Sequence, residues 1–123
     1  MVVKLPWPPS VNGYWRTFRN RQILSKKARE YRDKVIGHLA IKKKLGPLAA
    51  RIWLQPPDKR RRDVDNFSKP ILDALTHAGA WEDDSQIMHL DVVMCEPVKG
   101  GGVTVQVDEL TADDLQRLRE AGL

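Results

Sequence analysis

Disulfide chemistry is excluded at the outset. The 123 residues include a single cysteine, Cys95, and one thiol closes no intrachain bridge, which fits a reducing compartment. Cys95 lies in an apolar run and is expected to be a small buried hydrophobe. The three histidines, His38, His77 and His89, share no motif, and no Cys/His cluster has zinc-ligand spacing. Long hydrophobic runs are also missing. None approaches the roughly 20 residues needed to cross a bilayer, and the opening Met1-Val2-Val3-Lys4-Leu5-Pro6 is too short and too soon broken by proline for a secretion signal. The expectation is a soluble, cytoplasmic protein that does not associate with membranes. Ser10, Ser68 and Ser85 have no nucleophile-elbow context. With no repeat, low-complexity tract or linker, residues 1–123 read as one domain, long enough to bury a core without disulfides or structural metal.

Hydrophobic residues make up 41% of the chain, and 21 Lys and Arg outnumber 16 Asp and Glu for a net charge of +5. An excess of that size suits an anionic partner such as nucleic acid, without deciding it.

Residues 2–5 read as a short strand. Pro6, Pro8, Pro9, Asn12 and Gly13 then impose an irregular turn. Residues 14–17 and 22–24 suit two short strands joined around Asn20. Ser25 is placed to cap a helix that runs to about residue 45, with Ala28, Tyr31, Val35 and Leu39 as its apolar stripe, Ile36 and Ala40 widening it and Lys42 departing from it. Gly46-Pro47 ends that helix. Residues 48–55 read as a strand, and a second helix starts near Asn66 and stops before Gly79, with Phe67, Ile71, Leu75 and Ala78 on its buried side. A polar loop carries Trp81 to Ser85. Residues 87–94 alternate with the period of a strand, as do Val103, Val105 and Val107 after the Lys99-Gly100-Gly101-Gly102 turn, and the two are expected to form a terminal hairpin. Thr111 caps a last short helix with Asp113 and Asp114 in its first turn. The fold class is α+β (mixed α/β), one mixed sheet with helices packed on it. Strand order is not fixed by these patterns.

The segment Lys59-Arg60-Arg61-Arg62-Asp63-Val64-Asp65-Asn66 carries the most chemistry. If it is extended, Asp63 and Asp65 point to one side, about 7 Å apart at Cα, and can converge on one hard cation. Magnesium takes oxygen ligands and keeps several waters, so two or three carboxylates suffice. Asp83 and Asp84 add carboxylates from the loop before the next strand. Phosphodiester cleavage builds negative charge on the phosphate, the attacking water and the leaving oxygen, which a carboxylate-held metal offsets. Lys69 lies one helical turn after Asp65 and can meet the scissile phosphate or the leaving oxygen. The plainer alternative makes Asp63 an ordinary helix-initiating residue, Lys69 an ion-pair partner of Asp65 and the arginines a solvated loop. An EF-hand is disfavoured, because Phe67 and Ser68 stand where an oxygen ligand and a glycine are needed. Near the start, Tyr14, Trp15 and Phe18 interleave with Arg16, Arg19 and Arg21, a pattern that can stack on unpaired bases and grip phosphates or can simply pack under the proline loop. Trp7, Trp53 and Trp81 are expected in the core or an interface, and Asp91 in solvent rather than on a metal.

These stretches resemble the RusA family of Holliday junction resolvases, found in bacteria and often in prophages. The resemblance rests on Leu5-Pro6-Trp7-Pro8-Pro9-Ser10-x-Asn12, on Arg60-Arg61-Arg62-Asp63-x-Asp65-Asn66-x-x-Lys69, on Asp73-Ala74-Leu75-Thr76-x-Ala78-Gly79-x-Trp81-x-Asp83-Asp84-x-Gln86, and on Lys99-Gly100-Gly101. It spans nearly the whole chain. It implies a homodimeric, magnesium-dependent endonuclease that resolves four-way DNA junctions by paired nicks in recombination and repair. Asp63, Asp65 and Asp84 then match the acidic residues that hold Mg²⁺, and Lys69 the essential lysine. Asp83 occupies a neighbouring acidic position. Lys59, Arg60, Arg61, Arg62, Arg16 and Arg19 are the expected DNA contacts. The chain departs from the family around Lys42-Lys43-Lys44 and His89-Leu90-Asp91. A C2 dimer would present one active site to each of two opposed strands. The rival readings are a nuclease with a wider range of branched or flap DNA, a non-catalytic module that grips branched DNA, and an RNA-directed enzyme, for which no RNA-binding motif is visible.

Overall fold

The structure is a computed structural model that describes residues 1–39 and 42–122. Ala40, expected on the first long helix, lies outside the described residues.

Four strands form the main sheet: β1 (Val2–Leu5), β4 (Leu48–Gln55), β5 (Ile87–Met94) and β6 (Gly102–Glu109), in the order β1-β6-β4-β5. Strand β4 is the pivot. It runs antiparallel to β6, with Ile52 opposite Val105, and parallel to β5, with Ile52 opposite Val92. Its alternate residues Leu48, Ala50, Ile52 and Leu54 are all at most 1% exposed, so this face needs a neighbour on both sides and a cover above. The cover is α2 (Lys26–His38), through Tyr31 and Val35, and α3 (Ser68–His77), through Ile71, Leu72, Ala74 and Leu75. Because α3 lies between the parallel strands β4 and β5, the three form a βαβ unit.

The expected terminal hairpin is therefore corrected. β5 and β6 follow one another in sequence but do not pair, because β4 lies between them. The hairpin of this fold is β2 (Trp15–Phe18) with β3 (Arg21–Leu24), turned at Arg19 and Asn20, both with positive φ. Tyr14 belongs to a short helix before it, α1 (Val11–Tyr14), rather than to the strand. The capping expectations hold. The Ser25 side chain accepts from the Ala28 N–H, and Thr111 forms a capping box with Asp114 at the start of α4 (Ala112–Ala121). Helix α2 ends at His38, not near residue 45, because Leu39 turns extended and packs against the core. The chain beyond it runs to Lys44, whose N–H bonds Ala80 O at 2.8 Å. Cys95 is half-buried rather than buried. No described helix is long and apolar enough to cross a membrane.

Candidate active site

The proline loop after β1 is tied down by the Tyr31 hydroxyl, which donates to Pro6 O at 2.9 Å. It presents Trp7, whose ring packs against Phe67 at 4.8 Å between centroids. The left-handed Gly101 (φ +69) approaches this loop so closely that an added Cβ would lie 3.1 Å from Trp7 Cβ and Pro57 Cδ. Against Trp7 lies the guanidinium of Arg62, 5.6 Å from the ring centroid. Arg62 donates to Asp58 O and Arg60 O, each at 3.2 Å, and pairs with the Asp58 carboxylate at 2.8 Å. That hydrogen bond, joined by one from the Arg60 N–H, holds the Asp58 carboxyl below the usual carboxylate range. Arg62, expected among the DNA contacts, ties down the loop that carries it through Nη1 and also lines the cleft described next. Arg60 and Arg61 remain exposed, as do Lys59, Arg16 and Arg19.

Between the proline loop and this arginine segment opens a cleft of about 850 Å³, lined by Lys27, Arg60, Arg61 and Asp63 among others. Asp63 is extended, but the chain then turns into a 3-10 helix at Val64–Asn66, closed by Asn66 N–H to Asp63 O at 3.2 Å. The extended geometry expected for Asp63-x-Asp65 is corrected accordingly. Asp63 precedes the turn and Asp65 lies within it, so the two do not share the face of one strand. Both aspartates are exposed, and Asp63 makes no side-chain capping bond.

Lys69 sits in the first turn of α3, its ammonium 5.4 Å from the centroid of Trp15. Trp15 meets the fully buried Tyr14 edge to face at 4.6 Å. The Tyr14 hydroxyl donates to Asp73 Oδ2, and Arg32 grips the same carboxylate with Nε and Nη2, both at 3.0 Å. Sequence reasoning placed Asp73 only inside a motif and gave it no role. Its one visible signal was the spacing of four from Lys69.

Asp83 and Asp84 part company. Asp83 caps a second 3-10 turn at Asp84–Gln86, accepting from the Ser85 N–H at 3.2 Å, while Gln86 Oε1 accepts from the Glu82 and Asp83 N–H groups. The bond from Ser85 keeps the Asp83 carboxyl below its ordinary range. Asp84 is pushed the other way. Burial raises its carboxyl, the hydrogen bond with and charge of Asp83 add to this, Asp73 contributes, and the cation of Lys69 opposes them. Asp84 and Lys69 thus feel one another across the site. The loop itself is anchored by Trp81, 1% exposed, whose indole donates to Thr76 Oγ1 at 2.7 Å, and by Gln86 Nε2 to Gly46 O at 2.9 Å.

Among the described residues no three His, Cys, Asp or Glu side chains stand close enough to hold a metal ion, so Asp63, Asp65 and Asp84 do not form a ready cage within one chain. The donor set is still of the right kind: accessible carboxylate oxygens beside cations, needing further oxygen ligands such as phosphate and water. Asp91 lies on the sheet face turned away from α2 and α3, between Arg51 at 3.6 Å and His89 at 3.2 Å, and is about half exposed as expected.

Comparison with known proteins now bears on this arrangement. The sequence pattern of the family described as Endodeoxyribonuclease RusA matches residues 6–108. Proteins named crossover junction endodeoxyribonuclease RusA from Shigella sonnei (strain Ss046) and Escherichia coli (strain K12), and the like-named protein of Enterobacteria phage 82, are each 40% identical to this chain over 112 residues, 88% of this chain and 93% of theirs. The matched region runs from the proline loop through both aspartate segments to β6, and on that basis the chain belongs to the RusA family.

Proposed function

We propose that this chain is a magnesium-dependent endodeoxyribonuclease that resolves four-way DNA junctions, acting as a homodimer in the cytoplasm. The observation that carries the reading is the separation of charge around α3. Asp63 opens onto a cleft lined with Lys27, Arg60 and Arg61, while Lys69 stands without an ion-pair partner among the described residues, close enough to Asp84 to oppose the rise of its carboxyl. Cations bring the phosphate backbone to the carboxylates, and bare carboxylates alone would repel it.

Asp63, Asp65 and Asp84 are the residues proposed to hold magnesium. When bound, the ion supplies an activated water and offsets the charge that grows on the phosphate. The chain's own residues do the rest. Arg60 and Arg61, with Lys59, grip phosphates at the cleft. Arg16 and Arg19 reach a second stretch of backbone from the β2–β3 hairpin. Lys69 donates to the scissile phosphate or the leaving oxygen, where charge develops. Asp83 serves as the cap that orients Asp84 rather than as a ligand. The dimer reading is supported by β5, a sheet edge left unpaired among the described residues, on which Met88, Leu90 and Val93 are 60%, 41% and 48% exposed.

Incubation with a synthetic mobile four-way junction, with and without Mg²⁺ and against matched duplex and flap controls, tests the proposal. Paired cutting that needs Mg²⁺ and stops in EDTA, with junction binding retained, is the expected result. Cutting that persists in EDTA would overturn the metal mechanism. Equal cutting of flaps and junctions would leave the nuclease standing and remove the junction assignment.

A further inference from the structure

Lys69 and Asp73 are four residues apart in α3, the spacing at which opposite charges meet on a helix surface. Nevertheless, among the described residues Lys69 makes no ion pair. The Asp73 carboxylate is occupied from the other side: Arg32 of α2 takes both oxygens, and the Tyr14 hydroxyl donates to one of them. Arg32 and Asp73 are only 22% and 24% exposed, so this cluster is shielded, and a bidentate Arg–carboxylate pair is well placed to outcompete a solvated lysine. Tyr14 does a second job. Its ring holds Trp15 edge-on, and Trp15 is the face on which the Lys69 ammonium rests. A cation over an aromatic face keeps its charge and its donors available, whereas a carboxylate partner would neutralise it.

We propose that Arg32 and Tyr14 are positioning residues for the cleavage reaction: by engaging Asp73 they keep that carboxylate off Lys69 and leave its ammonium free for the DNA phosphate. The inference rests on the reading of Lys69 given above. It makes Asp73 a potential quencher of the site, held in check by two residues 41 and 59 positions distant in the chain.

Single-turnover cleavage of a synthetic four-way junction at saturating protein and Mg²⁺ tests it, with junction affinity measured separately in EDTA. Arg32→Gln is expected to lower the rate about tenfold and leave affinity within about twofold, the signature of an interaction made in the transition state. Adding Asp73→Asn to the same chain removes the competing carboxylate, and the rate should return to within about threefold of wild type. Tyr14→Phe should slow cutting in the same direction but less. Arg32→Lys, which keeps one charged contact, should retain most of the rate; should Arg32→Gln fail to fold by circular dichroism, Tyr14→Phe with and without Asp73→Asn carries the same comparison. A double variant as slow as Arg32→Gln, or slower, would show a merely structural tie and overturn the proposal. Lys69→Ala separates the two levels. If it slows cutting while Arg32→Gln does not, this inference alone is lost; if it leaves cutting unchanged, the assignment of Lys69 is wrong and the inference falls with it.

Discussion

Trp81 offers a way to disturb Asp84 without touching a charge. Its indole is 1% exposed, packs in the main core and bonds Thr76, and the next five residues are the loop that carries the acid. Trp81→Ala would cost about 3–5 kcal/mol as a large core truncation, enough to threaten a domain whose whole stability is of order 5–15 kcal/mol. Trp81→Phe keeps much of the ring. It loses part of the buried area and one hydrogen bond, for a total of about 2–3 kcal/mol. Thr76 is not orphaned, since its hydroxyl still donates to Leu72 O at 2.8 Å. For a domain of this size that corresponds to a drop in Tm of roughly 6–15 °C. The functional consequence should be selective. The cavity frees the Glu82–Gln86 loop, so the cleavage rate at 25 °C falls, while junction binding, proposed above to rest on Arg60, Arg61 and the hairpin, stays close to wild type. Differential scanning calorimetry alongside single-turnover cleavage makes the comparison. A Trp81→Phe protein that melts within 2 °C of wild type, or that loses binding and rate together, would refute the claim that this side chain holds up the Asp84 loop.

Asp63→Asn, Asp65→Asn and Asp84→Asn should each abolish cutting and preserve or tighten junction binding, whereas Asp91→Asn should cut normally; an inactive Asp91→Asn would relocate the third carboxylate. Asp84→Asn carries a stability signature as well. The folded carboxyl is raised above its unfolded value, so wild type is favoured below the unfolded carboxylate range and loses that advantage as pH rises through the folded pKa. The variant should therefore match wild type near pH 3 and gain on it towards pH 7 in urea melts; a variant losing ground over that interval would contradict the sign. Arg62→Ala should lower Tm with little change in the salt dependence of DNA binding, and Arg61→Ala should do the reverse, reducing the slope of log affinity against log salt by about one phosphate contact; exchanged outcomes would return Arg62 to the DNA surface. Sedimentation should give a dimer that Met88→Asp, at the free β5 edge, converts to monomer with loss of paired cuts. A Met88→Asp protein that remains dimeric would place the interface elsewhere.

The sequence disclosed most where a local rule was sufficient. Alternation marked β4 and β5 to their end residues, and Ser25 and Thr111 announced their helices because a hydroxyl before an amphipathic run satisfies free N–H groups. It misled where a non-local partner decided. Two alternating strands joined by a glycine turn look like a hairpin, and only the need of β4 for neighbours on both edges separates β5 from β6. The acidic site was legible as a set of residue types but not as a shape, because a 3-10 turn at Val64–Asn66 leaves no periodic trace in three residues. Asp73 was invisible as a hub for the same reason: its partners lie in α1 and α2, and four-residue spacing suggests a pairing with Lys69 that the fold does not make.

The strand order has a consequence for how the protein comes into being. Among the described residues β1 pairs only with β6, whose Gln106 lies opposite Val2, and the amino group of Met1 bonds Val107 O at 3.0 Å. β4 likewise waits for partners some 40 to 60 residues downstream. Contacts of such long range form late, so a nascent chain that lacks β6 cannot close its sheet, nor fix α3 and the Asp84 loop against it. A basic protein that cuts DNA would be hazardous as a half-made fragment; in this topology the cutting geometry arises only once β6 has joined the sheet.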